Sequence, residues 1–173
     1  MKSKRVKKAF SEKQIAKRID KLGSIIRKDA GTAEVFLLGV LKGASFFLAD
    51  LMRAIPGDVS YGFINVIREM ADTEIATAME IDYQHSTDIA EKHVYLLKDV
   101  VSTGVIETYL LQQLRQKNPT ELKLVALVDR PELRTVALDV DYRAFEADHR
   151  GVFVGYGLEL YGKYANLPYI GRI

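Results

Sequence analysis

Chemistry concentrates in this chain where an apolar run meets charge and then a turn of small residues. Val94-Tyr95-Leu96-Leu97 leads into Lys98-Asp99, and Ser102-Thr103-Gly104 follows. An apolar run bounded by charge reads as a strand covered on both faces. From Val105 on, Ile106, Tyr109, Leu110 and Leu114 recur at helical spacing. A strand, a short loop and a helix N-terminus can point backbone N–H groups at a phosphate. An ordinary strand-to-helix turn of an α/β domain has the same pattern. A second turn of this kind, Lys42-Gly43-Ala44, follows the apolar residues 34–41 and leads into a helix with Phe46, Phe47, Leu48, Leu51 and Met52. Lysine at the end of a parallel strand points toward the crevice where α/β proteins bind ligands. It also fits a plain solvent-facing turn.

The elements that must hold these turns can be read in order. Ser11 with Gln14 makes a capping-box pattern, and Ile15, Ile19, Leu22 and Ile25/Ile26 continue one apolar face to about Gly31. Residues 34–41, 59–67, 94–101 and 122–128 read as strands. Residues 136–140 are a short candidate, and Val152-Phe153-Val154 precede Gly155. Residues 68–93 lack a clear period and read as a mobile loop or flap, with a strand candidate at 75–81. Strands alternating with helices predict a mostly parallel sheet with helices on both faces. The expected organisation is a basic N-terminal arm over 1–10 and one domain over 11–173.

Composition bounds the function. The chain has 173 residues, 48% hydrophobic and 28% charged, with a net charge of +2, which is too small to argue for nucleic acid. Five Lys/Arg stand in residues 1–8; such an arm could touch nucleic acid or an acidic partner, or be a solvated terminus. There is no cysteine, so disulfides and thiolate metal sites are excluded, as fits a reducing compartment. No apolar run approaches the ~18–20 residues of a membrane span. The expectation is a soluble, cytoplasmic protein with no membrane partner.

Several separated segments together resemble the type I phosphoribosyltransferases, and within them the hypoxanthine-guanine phosphoribosyltransferases. Val40-Leu41-Lys42-Gly43-Ala44 with Phe46-Phe47-Leu48-Ala49-Asp50-Leu51 resembles that family's pyrophosphate loop and following helix. Residues 94–104 are similar to its phosphoribosyl-pyrophosphate motif, and Leu127-Val128-Asp129-Arg130-Pro131-Glu132 to its purine-reading segment. Val154-Gly155-Tyr156-Gly157-Leu158-Glu159 with Asn166-Leu167-Pro168-Tyr169-Ile170-Gly171 resembles its C-terminal signature. The similarity runs from about residue 15 to the end. It implies an α/β fold with a mostly parallel central sheet flanked by helices, a flexible loop and a small hood. It implies transfer of a phosphoribosyl group to a 6-oxopurine with Mg²⁺ as cofactor, and a homodimer or homotetramer. By position, Ser102, Thr103, Gly104, Val105, Ile106, Lys42 and Gly43 would bind phosphate and phosphoribosyl pyrophosphate. Asp99 and Ser102 would stand at the catalytic positions. Arg130, Val152 and Phe153 would meet the purine, and Glu159 with Asp99 the metal.

The resemblance breaks at six functional positions. Lys98 stands where the family has the first acid of a pair, Ser102 where it has the loop acid, and Ile106 where it has a later hydroxyl. Arg68-Glu69 replace the flap's Ser-Tyr, Val152 the stacking aromatic (with Phe153 beside it), and Ala165 an arginine. Arg130 replaces a lysine and Glu159 an aspartate, both keeping the chemistry of donor and hard ligand. Serine is no base near neutral pH without activation. Two functions are therefore weighed. One is a protein that binds a purine nucleotide or phosphoribosyl pyrophosphate with impaired transfer, alone or with an active paralogue. The other is a fully active, divergent enzyme. Nucleic-acid binding rests on residues 1–8 only.

Overall fold

Ser11 opens the first helix as its sequence pattern predicts. Its N–H donates to Gln14 Oε1 at 2.8 Å, and Gln14 N–H donates to Ser11 Oγ at 3.4 Å, so two otherwise orphaned donors are satisfied reciprocally. The helix, α1, is Glu12–Ala30. It is seen in a computed structural model that describes residues 6–70, 76–83, 88–148 and 151–173. Before it stands β1, Lys7–Phe10, and after it β2, Val35–Val40, and α2, Ser45–Ala54. Then come β3, Val59–Met70, β4, Ala76–Tyr83, and β5, His93–Val101. Helix α3, Val105–Arg115, leads to β6, Glu121–Asp129, and a 3-10 turn at Pro131–Leu133. Short strands β7, Tyr142–Glu146, β8, Phe153–Val154, and β9, Ile170–Arg172, finish the chain.

Six strands form the central sheet in the order β4-β3-β2-β5-β6-β7. All neighbours are parallel except the edge pair β3–β4. A second, antiparallel sheet, β1-β9-β8, forms a small hood. The expected α/β architecture is therefore present.

The two faces of β5 explain how its charged end is presented. Tyr95 and Leu97 pack with Val35 and Leu37 under α1 and α2, against Ile19, Ile26, Phe47 and Leu51. Val94 and Leu96 face the other way, with Phe36, Leu38 and Leu124 under Leu110, Leu111 and Leu114 of α3. Strand alternation carries Lys98 onto the α3 face and Asp99 onto the α2 face. The hood is joined to the body by Phe10, whose ring stacks on Phe145 at 4.0 Å between centroids.

Three sequence expectations need correction. Within the unpatterned stretch 68–93 the strand candidate at 75–81 is present as β4, and a hairpin arm stands where a loop was expected: β3 runs on to Met70 and pairs with β4 from Ile64↔Tyr83 to Met70↔Ala76. Its edge position removes the need for an apolar pattern. Residues 71–75 and 84–87 of the expected flap lie outside the described residues. Residues 136–140 are not a strand. Val136 and Leu138 instead pack over Gly104, where a Cβ would meet them at 3.1 and 3.0 Å. The edge strand is β7, announced by Asp141, whose Oδ2 accepts from Leu124 N–H at 2.7 Å. Finally, residues 7–10 of the expected basic arm are strand β1, paired with β9; residues 1–5 lie outside the described residues.

Candidate functional site

A cleft of about 510 Å³ opens at the C-terminal ends of β2, β5 and β6, where open parallel sheets bind ligands. Leu41, Lys42 and Gly43 line one side and Asp99 and Val100 the floor. Arg130 with Val152 and Phe153 lines a second side, and Gly157, Leu158 and Glu159 a third; Asn65 reaches in from β3. Seven of the residues singled out by sequence therefore share one cavity: Lys42, Gly43, Asp99, Arg130, Val152, Phe153 and Glu159.

The floor is set by Gly43. A Cβ at that position would lie 2.0 Å from Asp99 Oδ2 and 2.6 Å from its Cγ, so only glycine lets the turn after β2 approach the end of β5. The other oxygen of Asp99, Oδ1, accepts from Lys98 Nζ in an ion pair whose side chains are both largely buried. Where two acids were expected from the family pattern, the strand end presents one acid tied to a cation. Ser45 caps the turn from the helix side, its hydroxyl donating to Lys42 O at 2.7 Å.

The purine-side residues differ in exposure. Val152 is 45% exposed at the cleft, while Phe153 is 6% exposed, in the core with Phe10. Arg130 lies over the Phe153 ring at 5.5 Å and donates from Nη1 to Gly151 O at 3.2 Å. Its backbone N–H donates to Val101 O at 2.9 Å, locking β6's end to β5. Ala165 accepts from Gly157 N–H at 3.0 Å, so its backbone supports the cleft's third side. Arg68 and Glu69 pair with Met79 and Ala78 in the β3–β4 ladder; their side chains lie outside the described residues.

The turn Ser102-Thr103-Gly104 and the first residues of α3, Val105 and Ile106, do not line this cavity. They stand at the same end of β5. Gly104 is the N-cap of α3 in the left-handed region, φ 84°, and no side chain caps the helix, which leaves its dipole and amides to an anion. The turn is held from outside: Thr135 N–H donates to Thr103 O at 3.0 Å, and Arg134 Nη1 donates to Ser102 O at 2.5 Å. Arg134 also pairs with Asp129, a carboxylate 1% exposed whose other oxygen takes Arg143 Nη1 at 3.1 Å.

Arg134 and Glu107 are absent from the sequence-derived site. Glu107 is 3% exposed on the same face of α3 as Leu110, Leu111 and Leu114. Its burial pushes the carboxyl above the ordinary range, Lys98 and its own backbone N–H draw it down, Asp99 pushes it up again and Arg134 draws it down. A glutamate on an otherwise apolar helical stripe is the signal that could have found it. The carboxylates suited to a divalent cation are Asp99 and Glu159. Among the described residues no three His, Asp or Glu side chains gather as a metal site. Two carboxylate positions fit Mg²⁺, which commonly takes one or two carboxylates and fills its shell from water and substrate phosphates. No described helix is long and apolar enough to cross a membrane.

The chain is similar to known proteins over most of its length. The family model of the phosphoribosyl transferase domain matches residues 7–159. The hypoxanthine-guanine phosphoribosyltransferase of Streptococcus pneumoniae is 32% identical over 161 residues, covering 93% of this chain and 89% of its own. That of Bacillus subtilis is 30% identical over 162 residues, covering 94% and 89%. A crystal structure of a hypoxanthine-guanine phosphoribosyltransferase from Bacillus anthracis, with a HEPES molecule in its active site, superposes with a TM-score of 0.90 at 30% identity. It covers 98% of this chain and 99% of that one. A domain match over most of the chain, near-complete coverage of the relatives and a shared fold agree: the chain belongs to the hypoxanthine-guanine phosphoribosyltransferase family of type I phosphoribosyltransferases.

Proposed function

We propose that the cleft binds a purine nucleotide or phosphoribosyl pyrophosphate and that its transferase activity is impaired. The observation that carries this reading is the Lys98–Asp99 ion pair on the cleft floor. Ribose hydroxyls need free carboxylate oxygens to accept their hydrogen bonds, and here one oxygen of Asp99 is already committed to an ammonium. Lys42 and Gly43 would meet the pyrophosphate, and the amides of Ser102, Thr103, Gly104, Val105 and Ile106 the 5′-phosphate. Arg130 would donate to the exocyclic oxygen of a 6-oxopurine, and Val152 would cover one face of the base. Asp99 and Glu159 would hold Mg²⁺, which when bound neutralises charge on the pyrophosphate leaving group.

What the site lacks is a base for the purine proton. Ser102 holds that position, and loss of one general base costs about 10²–10⁴ in rate. Purified protein given hypoxanthine or guanine, phosphoribosyl pyrophosphate and Mg²⁺ is expected to release pyrophosphate at a small fraction of ordinary turnover, while guanosine monophosphate still binds. Turnover in the range of ~1–10³ per second would overturn the impairment. Absence of heat and of thermal shift on titration with guanosine monophosphate would overturn the binding. A fully active, divergent enzyme is the second reading, favoured by the gathering of Lys42, Asp99, Arg130 and Glu159 in one cleft.

A further inference from the structure

Tyr156 stands where turn chemistry asks for a different residue. Gly155 N–H donates to Leu158 O at 2.8 Å, and Leu158 N–H donates back to Gly155 O at 3.1 Å. The two residues between them, Tyr156 and Gly157, have φ of 53° and 88°. Two positive φ values mark a type I′ turn, whose favoured residues are Asn, Asp and Gly. A bulky side chain held there is strained, and its contacts account for the choice. Tyr156 is buried, its hydroxyl donates to Asp50 Oδ2 on α2 at 2.5 Å, and its ring meets the Phe46 ring edge-on at 6.0 Å between centroids. The other oxygen of Asp50 accepts from Arg53 on the same helix, which orients the carboxylate. Gly157 completes the contact. A Cβ there would lie 3.2 Å from Gly43 O and 3.4 Å from Phe46 Cγ, so the turn lies against the Lys42-Gly43 turn and the start of α2.

We infer that Asp50 and Tyr156 are positioning residues, a latch between α2 and the turn at 155–158 that sets Glu159 across the cleft from Lys42 and Gly43 for a divalent cation bound with pyrophosphate. Both carboxylates of the proposed cation site then take their places from one turn. Asp99 is fitted to Gly43 by direct contact. Glu159 directly follows a turn that abuts Gly43 and is tied by Tyr156 to the helix after it. Glu159 lines the cleft, whereas neither Asp50 nor Tyr156 does, so the latch acts through the turn and not on the ligand. The cation half of this inference rests on the proposed function; the latch does not.

A double-mutant cycle of Asp50→Ala and Tyr156→Phe on the full chain, read by urea unfolding without ligand, tests the latch. Both changes are mild: the Asp50 side chain is 37% exposed on a helix, and phenylalanine keeps the ring. The cost of Tyr156→Phe to the folding equilibrium constant is expected to be about tenfold greater with Asp50 present than in the Asp50→Ala background, ~1.4 kcal/mol of coupling. Equal costs in the two backgrounds overturn the latch. Positioning is read from calorimetric binding of pyrophosphate in Mg²⁺ and in EDTA. The gain in affinity that Mg²⁺ brings should fall by about threefold or more in Tyr156→Phe and in Asp50→Ala. That is less than the roughly 10–100-fold lost with a group bonded directly to a metal ligand, because the latch acts through the turn. Asp50→Asn, whose amide oxygen still accepts from the phenol, should keep the gain. General loosening of the fold weakens pyrophosphate in both solutions and leaves the gain fixed; a fixed gain overturns the positioning role. Equal losses in Asp50→Asn and Asp50→Ala also overturn it, in favour of a charge effect at a distance. Wild-type protein whose pyrophosphate binding is not strengthened by Mg²⁺ overturns the proposed cation site and the positioning with it, whereas the cycle still decides the latch.

Discussion

Adding one methyl group at Gly43 tests whether the cleft floor is as closely fitted as its distances imply. The new Cβ would lie 2.0 Å from Asp99 Oδ2, 2.6 Å from its Cγ and 2.9 Å from its Cβ. Carbon contacts are comfortable near about 3.5 Å, so the carboxylate must retreat by roughly 1–1.5 Å. Rotating the short side chain cannot clear the clash, because its own Cβ is already too close and its Oδ1 is held by Lys98. Either the turn or the end of β5 has to shift. Overpacking of this kind costs about 1–3 kcal/mol. A displacement near 1 Å at a positioned group costs on the order of 10²-fold in function. Gly43→Ala is therefore expected to lower the urea midpoint measurably and to weaken guanosine monophosphate, measured by calorimetry with Mg²⁺ present, by about 100-fold. An unfolding midpoint equal to wild type would show that the turn and strand end are not in contact as described. A retained midpoint and retained affinity together would refute the assignment of Asp99 to the site.

Two further outcomes follow from the charges around this strand end. The Glu107 carboxyl is held above its ordinary value of 4.5, chiefly by burial, so from about 4.5 up to its native value the folded protein holds more protons than the unfolded one. Stability contributed by the neutral form is present at low pH and is lost as pH rises through that window. The gain in stability of Glu107→Gln over wild type should accordingly grow as pH rises from 4 to 7 in urea unfolding; a difference independent of pH would contradict the burial. Arg134→Ala removes one of two arginines from the buried Asp129 and the donor to Ser102 O. Its expected cost is about 3 kcal/mol, the low end for breaking a buried pair because Arg143 stays. Arg134→Lys should recover part of this, lacking the guanidinium fork; a loss under about 1 kcal/mol for Arg134→Ala would mean that Arg143 alone suffices.

The elements that carry the cleft were legible because they are buried on both faces. Strands β2, β5 and β6 show as apolar runs, and α1 announces itself by the Ser11–Gln14 cap. Strand β4 showed only as a candidate at 75–81, and β7 was not legible. Both are edges of the sheet, and β7 buries only Ala144 and Phe145 of its five residues, too few to set a period. Residues 136–140 misled for the opposite reason. Their alternation is real, but it serves a loop packed on Gly104. Lys42, Asp99, Arg130 and Glu159 could be placed from motifs since each stands at or near a strand end. Glu107 could not, because an acid in a helix's first turn ordinarily reads as favourable exposed charge. Its spacing to Leu110, Leu111 and Leu114 was the opposing signal, and the packing decides in favour of that stripe.

Position 107 also decides how the family's acids can be restored. Stability alone would favour leucine there, continuing the stripe of Leu110, Leu111 and Leu114, and exchanging buried charges for apolar side chains is often stabilising by about 1–4 kcal/mol. Writing acids back at the two altered positions, Lys98→Glu with Ser102→Asp, would gather Glu107, Asp99 and both new carboxylates at the end of one strand. Their repulsion is expected to raise carboxyl pKa values, so the intended base would be partly protonated. The double variant should therefore gain little transferase activity with hypoxanthine, phosphoribosyl pyrophosphate and Mg²⁺. Adding Glu107→Leu should release the repulsion and raise the rate by about 10²-fold or more over the double variant, within the range one well-placed general base supplies. Equal rates for the double and triple variants would show that Glu107 does not act on the restored acids. In that case the activity is limited elsewhere in the site, with Ala165 and the hydroxyl lost at Ile106 as the next positions to restore.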